Sequence, residues 1–387
     1  MEKKTVFVVC PYPLDTAPGQ RFRFEQYLGY WARHGIRVTV APFWDASAYA
    51  QLYSPGRAFA KPFLLLRGFI RRLSVLAKAV SADYVFLYRE ATPIGPPWFE
   101  ATLFWLRRRV VFDFDDAIFV PTGDGTSSRL LTALKFPRKA AYTARRAWKV
   151  SVSTPYLAAW AGARNPQCVV VPTTLDPKYF TRLKSHVRDK RPVIGWSGSR
   201  TTSRYLELVR PVLAELQKHH DFEFVVICNE DPGFPEQRCY RFIRWNPASE
   251  VDDLMNLNIG LMPQPDVPFA RGKAGLKAMQ YSALGIVPVV SPIGGGDHVV
   301  HDGETGFVVG DNFEQWYRAL DHLLRNPGSW EDIGQRARER VFTLFSSEKN
   351  ATRYLNLFAD CSNGSKYRNT VRTRDIAQNP VEGGSNL

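Results

Sequence analysis

No stretch of the 387-residue sequence approaches the run of about 20 apolar residues that spans a bilayer. Cysteine is scarce too. Cys10, Cys168, Cys228, Cys239 and Cys361 lie far apart, with no close pair at metal or redox spacing. That excludes a disulfide scaffold and a zinc module, and points to a reduced, cytoplasmic protein. The apolar run in the N-terminal EKKTVFVVCPYP is too short for a secretory signal and meets a proline, so it reads as a first β-strand. Internal repeats, a Gly-x-Ser-x-Gly elbow and a Walker loop are also missing.

Acidic residues are absent from two long stretches, Ala46–Ala82 and Gly125–Leu175. Residues 1–178 hold 25 Lys/Arg against 12 Asp/Glu, so nearly all of the net charge of +14 sits in the first half. Such asymmetry predicts an anionic partner for one domain. A nucleic acid is the weakest choice, because the chain has no recognition helix, zinc finger or aromatic RNA platform. Within the basic half, AKPFLLLRGFIRRLSVLAKAV (residues 60–80) puts Arg67, Arg71 and Lys78 on one helical face and Phe63, Leu66, Ile70, Leu73 and Ala77 on another. This is the pattern of an interfacial helix on an anionic membrane, and also of a surface helix packed on its own sheet. A second basic stretch, KFPRKAAYTARRAWK (residues 135–149), favours the membrane.

At 45% hydrophobic residues the chain can build two α/β domains. Strand and helix signals alternate, which predicts parallel sheets covered on both faces. Expected strands are Thr5–Cys10, Arg37–Ala41, Tyr84–Tyr88, Val110–Phe114, Val150–Ser153 and Cys168–Val171, then Pro192–Trp196, Glu223–Cys228, Tyr240–Arg244 and the run NIGLMPQ. The loop after the first strand, PYPLDTAPGQRFRF, lies at the carboxyl edge where ligands bind such sheets, which places Gly19, Arg21 and Arg23 at a cleft. VVFDFDDAIF ends a strand in carboxylates, and Asp113, Asp115 and Asp116 are candidates to orient or deprotonate a hydroxyl. SGSRTTSRYLEL reads as a phosphate-binding turn, with Gly198 and the cations Arg200 and Arg204, and Ser203 as the N-cap of a helix to about His219.

The richest stretch is FARGKAGLKAMQYSALGIVPVVSPIGGGDHVVHDGETGFVVGD, residues 269–311. It predicts a glycine loop, a helix from about Ala274 to Leu284 with Gly285 as C-cap, and a buried strand at Val287–Ser291. A turn at Gly294–Gly296 and a hairpin-like return to Phe307–Val309 follow. Lys273, Lys277 and Gln280 share one face near the helix start, where phosphate is favoured.

This stretch resembles the donor-binding segment of the retaining, GT-B-type glycosyltransferases of family 4. The family has a glutamate at each end of an eight-residue step; Gly272 and Gln280 stand at those positions here. GKAGLKAMQY is similar to the wording of a sub-branch that makes bacterial surface polysaccharides, as are FDFDDA and GQRFRF. VPTTLDPKYF resembles the family's inter-domain segment, and Arg204 matches the later of two cations that follow the family's donor-side strand.

The resemblance implies a GT-B fold of two Rossmann-like domains facing across a cleft. Residues 1–178 would form the acceptor side, joined by a C-terminal helix at 346–361. Residues 179–345 would bind the donor, and 363–387 would be a disordered tail. It implies a nucleotide-sugar substrate, a glycan or lipid-linked acceptor, and no cofactor or metal. Gln280 would bind ribose, Gly294 and Gly295 the diphosphate or sugar, and Lys273 or Lys277 would stand in for the glutamate absent at Gly272. Asp113 and Asp116 would serve the acceptor. Work at the inner face of the cytoplasmic membrane is implied. Two rival readings are a metal-dependent transferase using Asp113 and Asp115, and a nucleotide- or glycan-binding protein without turnover.

Overall fold

The computed structural model describes residues 4–52, 60–120, 134, 136, 138–186 and 191–359. Its first sheet is built from β1 (Lys4–Cys10), β2 (Ile36–Pro42), β3 (Tyr84–Tyr88), β4 (Arg109–Phe114), β5 (Lys149–Val152) and β6 (Cys168–Val170). The second has β7 (Val193–Ser197), β8 (Glu223–Cys228), β9 (Tyr240–Arg244), β10 (Ile259–Met262), β11 (Val287–Val290) and β12 (Phe307–Val308). Their orders are β2-β1-β3-β4-β5-β6 and β12-β11-β10-β7-β8-β9. Every pairing in both is parallel. Strands covered on both faces need apolar side chains on both, which is why β3, β8 and β11 read as continuous hydrophobic runs.

One face of the first sheet is covered by helices Ala60–Ser81, Trp98–Trp105, Lys139–Arg146 and Pro155–Gly162, whose Ala79, Phe99, Leu103, Ala144 and Leu157 pack on strand residues such as Val85, Phe112 and Val150. The helices of the two basic segments noted in the sequence therefore lie on the same face; residues 135 and 137 of the second lie outside the described residues. Over the other face, the rings of Trp31 and Phe24 from the 20–33 region meet Phe86. Tyr354 of helix Ser347–Leu355 joins them, its ring 4.4 Å from that of Tyr27. The chain thus crosses between the sheets twice, and the crossings are tied together: Leu175 and Ser346 form a parallel bridge, with Leu175 N donating to Phe345 O and Ser347 N to Leu175 O, both at 2.8 Å.

Arg72 is buried in the first half, its guanidinium donating to three carbonyls: Ala91 (2.6 Å), Ala41 (2.7 Å) and Cys10 (2.7 Å). It closes the carboxyl ends of β1 and β2 onto the loop after β3.

Three local expectations need correction. The return after Asp302-Gly303 is no hairpin, because β12 pairs parallel to β11. Ser203 is no N-cap: the capping box belongs to Ser199 and Thr202, and the segment runs as short helices Arg200–Ser203 and Arg210–Leu216 around a 3₁₀ turn. A hydroxyl sits at both candidate positions, and only Ser199 has the extended backbone that lets its oxygen face the N3 amide. The donor-side helix begins at Leu276 rather than Ala274, because Gly275 turns left-handed (φ 72°) just before it. Residues 363–387 and the last residues of the expected C-terminal helix lie outside the described residues.

Candidate active site

The loops leaving the carboxyl ends of β4 and β10 meet. A Cβ on Gly272 would sit 2.7 Å from Ala117 Cβ and 2.8 Å from its backbone nitrogen, so only glycine lets the two halves touch there. The lost family glutamate therefore has no room in this arrangement. One residue on, Lys273 Nζ reaches the Asp116 carboxylate of the other half at 3.3 Å.

The three carboxylates of FDFDD have different situations. Asp113 lies within β4, fully buried, and ion-paired with the equally buried Arg23. Arg23 Nε donates to it at 3.2 Å, and the same guanidinium also reaches the Val171 carbonyl. Burial pushes the Asp113 carboxyl up while Arg23 opposes it. A substrate hydroxyl has no path to Asp113, so its expected acceptor-side role, and that of Arg23, is corrected to a structural one. Asp115 accepts from the Tyr88 hydroxyl and from Arg89 Nε, both at 2.7 Å. Arg89 has a left-handed backbone (φ 59°), rare for a side-chain-bearing residue, and its fork spans Asp115 and Asp116, the latter at 2.6 Å. Burial would raise the Asp116 carboxyl, but Lys273 and Arg89 outweigh it and hold it at about 2.

Gly19 sits against this network. A Cβ there would meet the Tyr88 hydroxyl at 2.7 Å and Arg89 Nη2 at 2.9 Å. Arg21 does not line an open cleft. It pairs with Glu250 of the second half at 3.2 Å and lies over the Tyr179 ring, which makes it a tie between halves.

In the second half, Lys277 occupies the first turn of helix Leu276–Leu284, its ammonium 5.3 Å from the centre of the Trp196 ring. A Cβ on Gly198 would strike that ring at 2.3 Å and Lys277 Cε at 2.9 Å, so Gly198 makes room for the lysine. Burial, with Lys273 nearby, pulls the Lys277 ammonium down to about 7. Gln280, one turn further, is buried. Gly294 and Gly295 are both left-handed (φ 66° and 73°), and a Cβ on Gly275 would sit 2.8 Å from the Gly295 carbonyl oxygen. The two glycine turns thus approach backbone to backbone, which only glycine allows there.

Arg200 and Arg204 are not joined to this cluster by any hydrogen bond or ion pair among the described residues. Arg200 pairs with Glu230 at the surface (3.1 Å), and exposed Arg204 lies beside the Tyr205 ring. His298 is half-exposed next to Asp297. Sequence reasoning missed Trp196 and Arg89, and also Gln264. Gln264 is buried beyond β10, lies against Gly294, and its Oε1 has no hydrogen-bond partner among the described residues. Its signal was its place two residues beyond a buried strand at the carboxyl edge. For a metal, Asp113 and Asp115 have the wrong surroundings: arginines already hold both, and no group of three His, Cys, Asp or Glu side chains could hold an ion among the described residues.

Residues 241–340 match the family described as Glycosyl transferases group 1. Among solved structures the chain is similar to sucrose-phosphate synthase from Thermosynechococcus elongatus, with 15% identity, a TM-score of 0.65, and 92% of this chain and 98% of that one covered. It is also similar to a glycosyltransferase from Rickettsia africae (17%, TM-score 0.64, 92% and 98% covered). A third likeness is Anabaena HepE in complex with UDP and glucose (13%, TM-score 0.63, 91% and 98% covered). No curated protein matches the chain in sequence. The fold is therefore GT-B, two parallel-sheet domains, and the match to the group 1 glycosyltransferase family falls in its second half.

Proposed function

We propose that this protein moves a sugar from a nucleotide-sugar to a glycan or lipid-linked acceptor, with retention of configuration and without a metal, as in family 4 enzymes of surface-polysaccharide assembly. The observation that carries the proposal is the meeting of Gly272-Lys273 with Asp116-Ala117 between the sheets, beside Lys277 and the paired glycine turns. Lys273 and Lys277 supply the positive charge that a diphosphate leaving group needs and that a metal would otherwise provide. Asp116, held ionised by Arg89 and Lys273, acts as their charge partner rather than as a proton acceptor. Gln280, with Gln264, supplies amides for ribose or sugar hydroxyls. The UDP and glucose bound to HepE, and the ADP bound to Arabidopsis starch synthase IV, support a nucleotide-sugar as donor.

The acceptor reading draws on the surface of the first half. In helix Ala60–Ser81, Leu64, Gly68, Arg72 and Ala79 face inward. Phe63 (69% exposed), Leu66 (57%), Ile70 (58%) and Leu73 (60%) form an apolar stripe open to solvent. Exposed apolar rows of this length mark a binding surface, and the excess of cations along the helix, with Asp45 the one carboxylate paired to Arg67 and Arg71 there among the described residues, favours anionic lipid. Residues 60–80 and 135–149 are thus proposed to rest on the inner face of the cytoplasmic membrane, where a lipid-linked acceptor would be found. No helix among the described residues is long and apolar enough to cross a membrane.

The test is a thermal-shift screen against UDP-, GDP-, ADP- and CMP-sugars with and without chelator, followed by turnover of the sugar that binds. A shift of several degrees that survives chelation and fades in Lys273→Ala is expected, since a ligand of the folded state raises the melting temperature by mass action. Loss of the shift with chelator would return the metal-dependent reading. Binding without turnover would leave a nucleotide-binding protein whose two family glutamates are gone.

A further inference from the structure

A hollow of about 560 Å³ lies at the amino ends of β4 and β5, the edge of the first sheet opposite the cleft. It is lined by Phe104, Trp105, Tyr142, Trp148 and four arginines, Arg107, Arg108, Arg109 and Arg146, with no carboxylate. The sequence builds it locally. Helix Trp98–Trp105 ends there, Arg107 takes a left-handed backbone (φ 53°), and three consecutive arginines lead into β4, which begins at Arg109. Arg108 reaches the Ala82 carbonyl at the end of helix Ala60–Ser81, and its Nε is buried without a hydrogen-bond partner among the described residues. Arg146 lies over the Tyr142 ring at 4.2 Å. Trp105 is 80% exposed, and its neighbour Leu106 is exposed as well.

We propose that this hollow binds the phosphate headgroup of an anionic phospholipid. Guanidinium forks suit a phosphate, and rings at the rim suit the boundary between headgroups and acyl chains. Two features favour a lipid over a soluble anion. The rim carries a large apolar ring and a leucine that a free phosphate would leave in water. The helix that bears the exposed Phe63–Leu73 stripe packs beside helix Trp98–Trp105, on the same face of the sheet, and ends at Arg108. Stripe and hollow then serve one surface: the stripe enters the acyl boundary and the hollow takes a headgroup next to it. The inference rests on the membrane contact proposed above and adds a specific site to it.

The experiment is sedimentation of the full chain with phosphatidylcholine vesicles, with and without phosphatidylglycerol. Variants are Trp105→Ala and Arg107→Ala/Arg146→Ala in the hollow, Phe63→Ser/Ile70→Ser in the stripe, and Arg318→Ala, an exposed arginine of the second half, as control. All six positions are solvent-exposed, so folding is retained, and melting curves check it. The wild type is expected to prefer the anionic vesicles, and the paired arginine variant to lose about fivefold in affinity per arginine while Arg318→Ala changes nothing. Trp105→Ala is expected to weaken binding severalfold. If hollow variants bind as the wild type does and only the stripe variant fails, the hollow is overturned and the membrane contact stands. If the wild type binds no vesicle, both fall. An equal loss in Arg318→Ala would reduce the hollow to general charge and overturn it.

Discussion

Lys277 gives the sharpest quantitative test of the proposed donor site. Its pKa in the fold is about 7 against an ordinary 10.5, because burial and Lys273 disfavour the charged form. Between those two values the unfolded chain holds a proton at this site that the folded chain does not. Stability must therefore rise with pH across that window, and the penalty is complete below pH 7. Each pH unit inside the window is worth at most about 1.4 kcal/mol. From pH 7 to 9 that would be nearly 3 kcal/mol, but the side chain is only half-buried, and a discount for solvent brings the expected gain to about 1 kcal/mol. Lys277→Met keeps the stem on the Trp196 ring and removes the titration. Chemical denaturation of both proteins at pH 7 and 9 isolates the site, because all other groups titrate in both. The wild type should gain about 1 kcal/mol relative to the variant. A bound diphosphate should also raise the Lys277 pKa, so nucleotide-sugar binding near pH 8 should take up a proton and weaken up to tenfold per unit above neutrality. Parallel stability profiles and pH-independent binding would refute the reasoning and leave Lys277 an ordinary surface cation.

Other parts of the structure give their own tests. Asp113→Ala leaves Arg23 charged and unpaired in the core and should cost about 3–5 kcal/mol in urea unfolding, with the loss in stability and not in donor affinity. Arg72→Met takes the guanidinium from three buried carbonyls, of which Cys10 keeps the Phe43 N–H, and should lower stability by about 2 kcal/mol or more, since each group left unpaired costs about 1–3 kcal/mol. Gly272→Ala presses a methyl into Ala117 and should cost about 1–3 kcal/mol or force the cleft open, visible as a larger radius in small-angle scattering. An unchanged radius and stability would show that the halves separate freely there.

The strands were legible because parallel strands buried on both faces are apolar without interruption: YVFLY and EFVVIC gave their bounds to the residue. Gly198 was legible as a turn after a strand, and its close approach to Trp196 gives the physical reason. What stayed hidden were pairings that depend on distance along the chain. Arg23 and Asp113 stand 90 positions apart, and nothing local says that their charges cancel in the core rather than face a substrate. Arg21 looked like a cleft residue because its true partner, Glu250, belongs to the other half. Amphipathic patterning of residues 60–80 picked out a basic face and an apolar face, and neither is the one that points to the sheet. The inward row is Leu64, Gly68, Arg72 and Ala79, which includes an arginine and a glycine. Gly68 lies against the Phe43 ring, and Arg72 finds carbonyls instead of water.

The return of helix Ser347–Leu355 to the first sheet has a consequence for how the molecule is made. Residues 1–178 alone cannot finish their own core, because the ring of Tyr354 that covers Phe86 and meets Tyr27 arrives only after the whole second half has been synthesised. The second half is in effect an insertion in a discontinuous first half, and its own folding brings the chain end back. Contacts separated by more than 300 positions close late and at high entropic cost, so refolding should be slow and sensitive to truncation before Tyr354, while residues 191–345 can gain structure earlier.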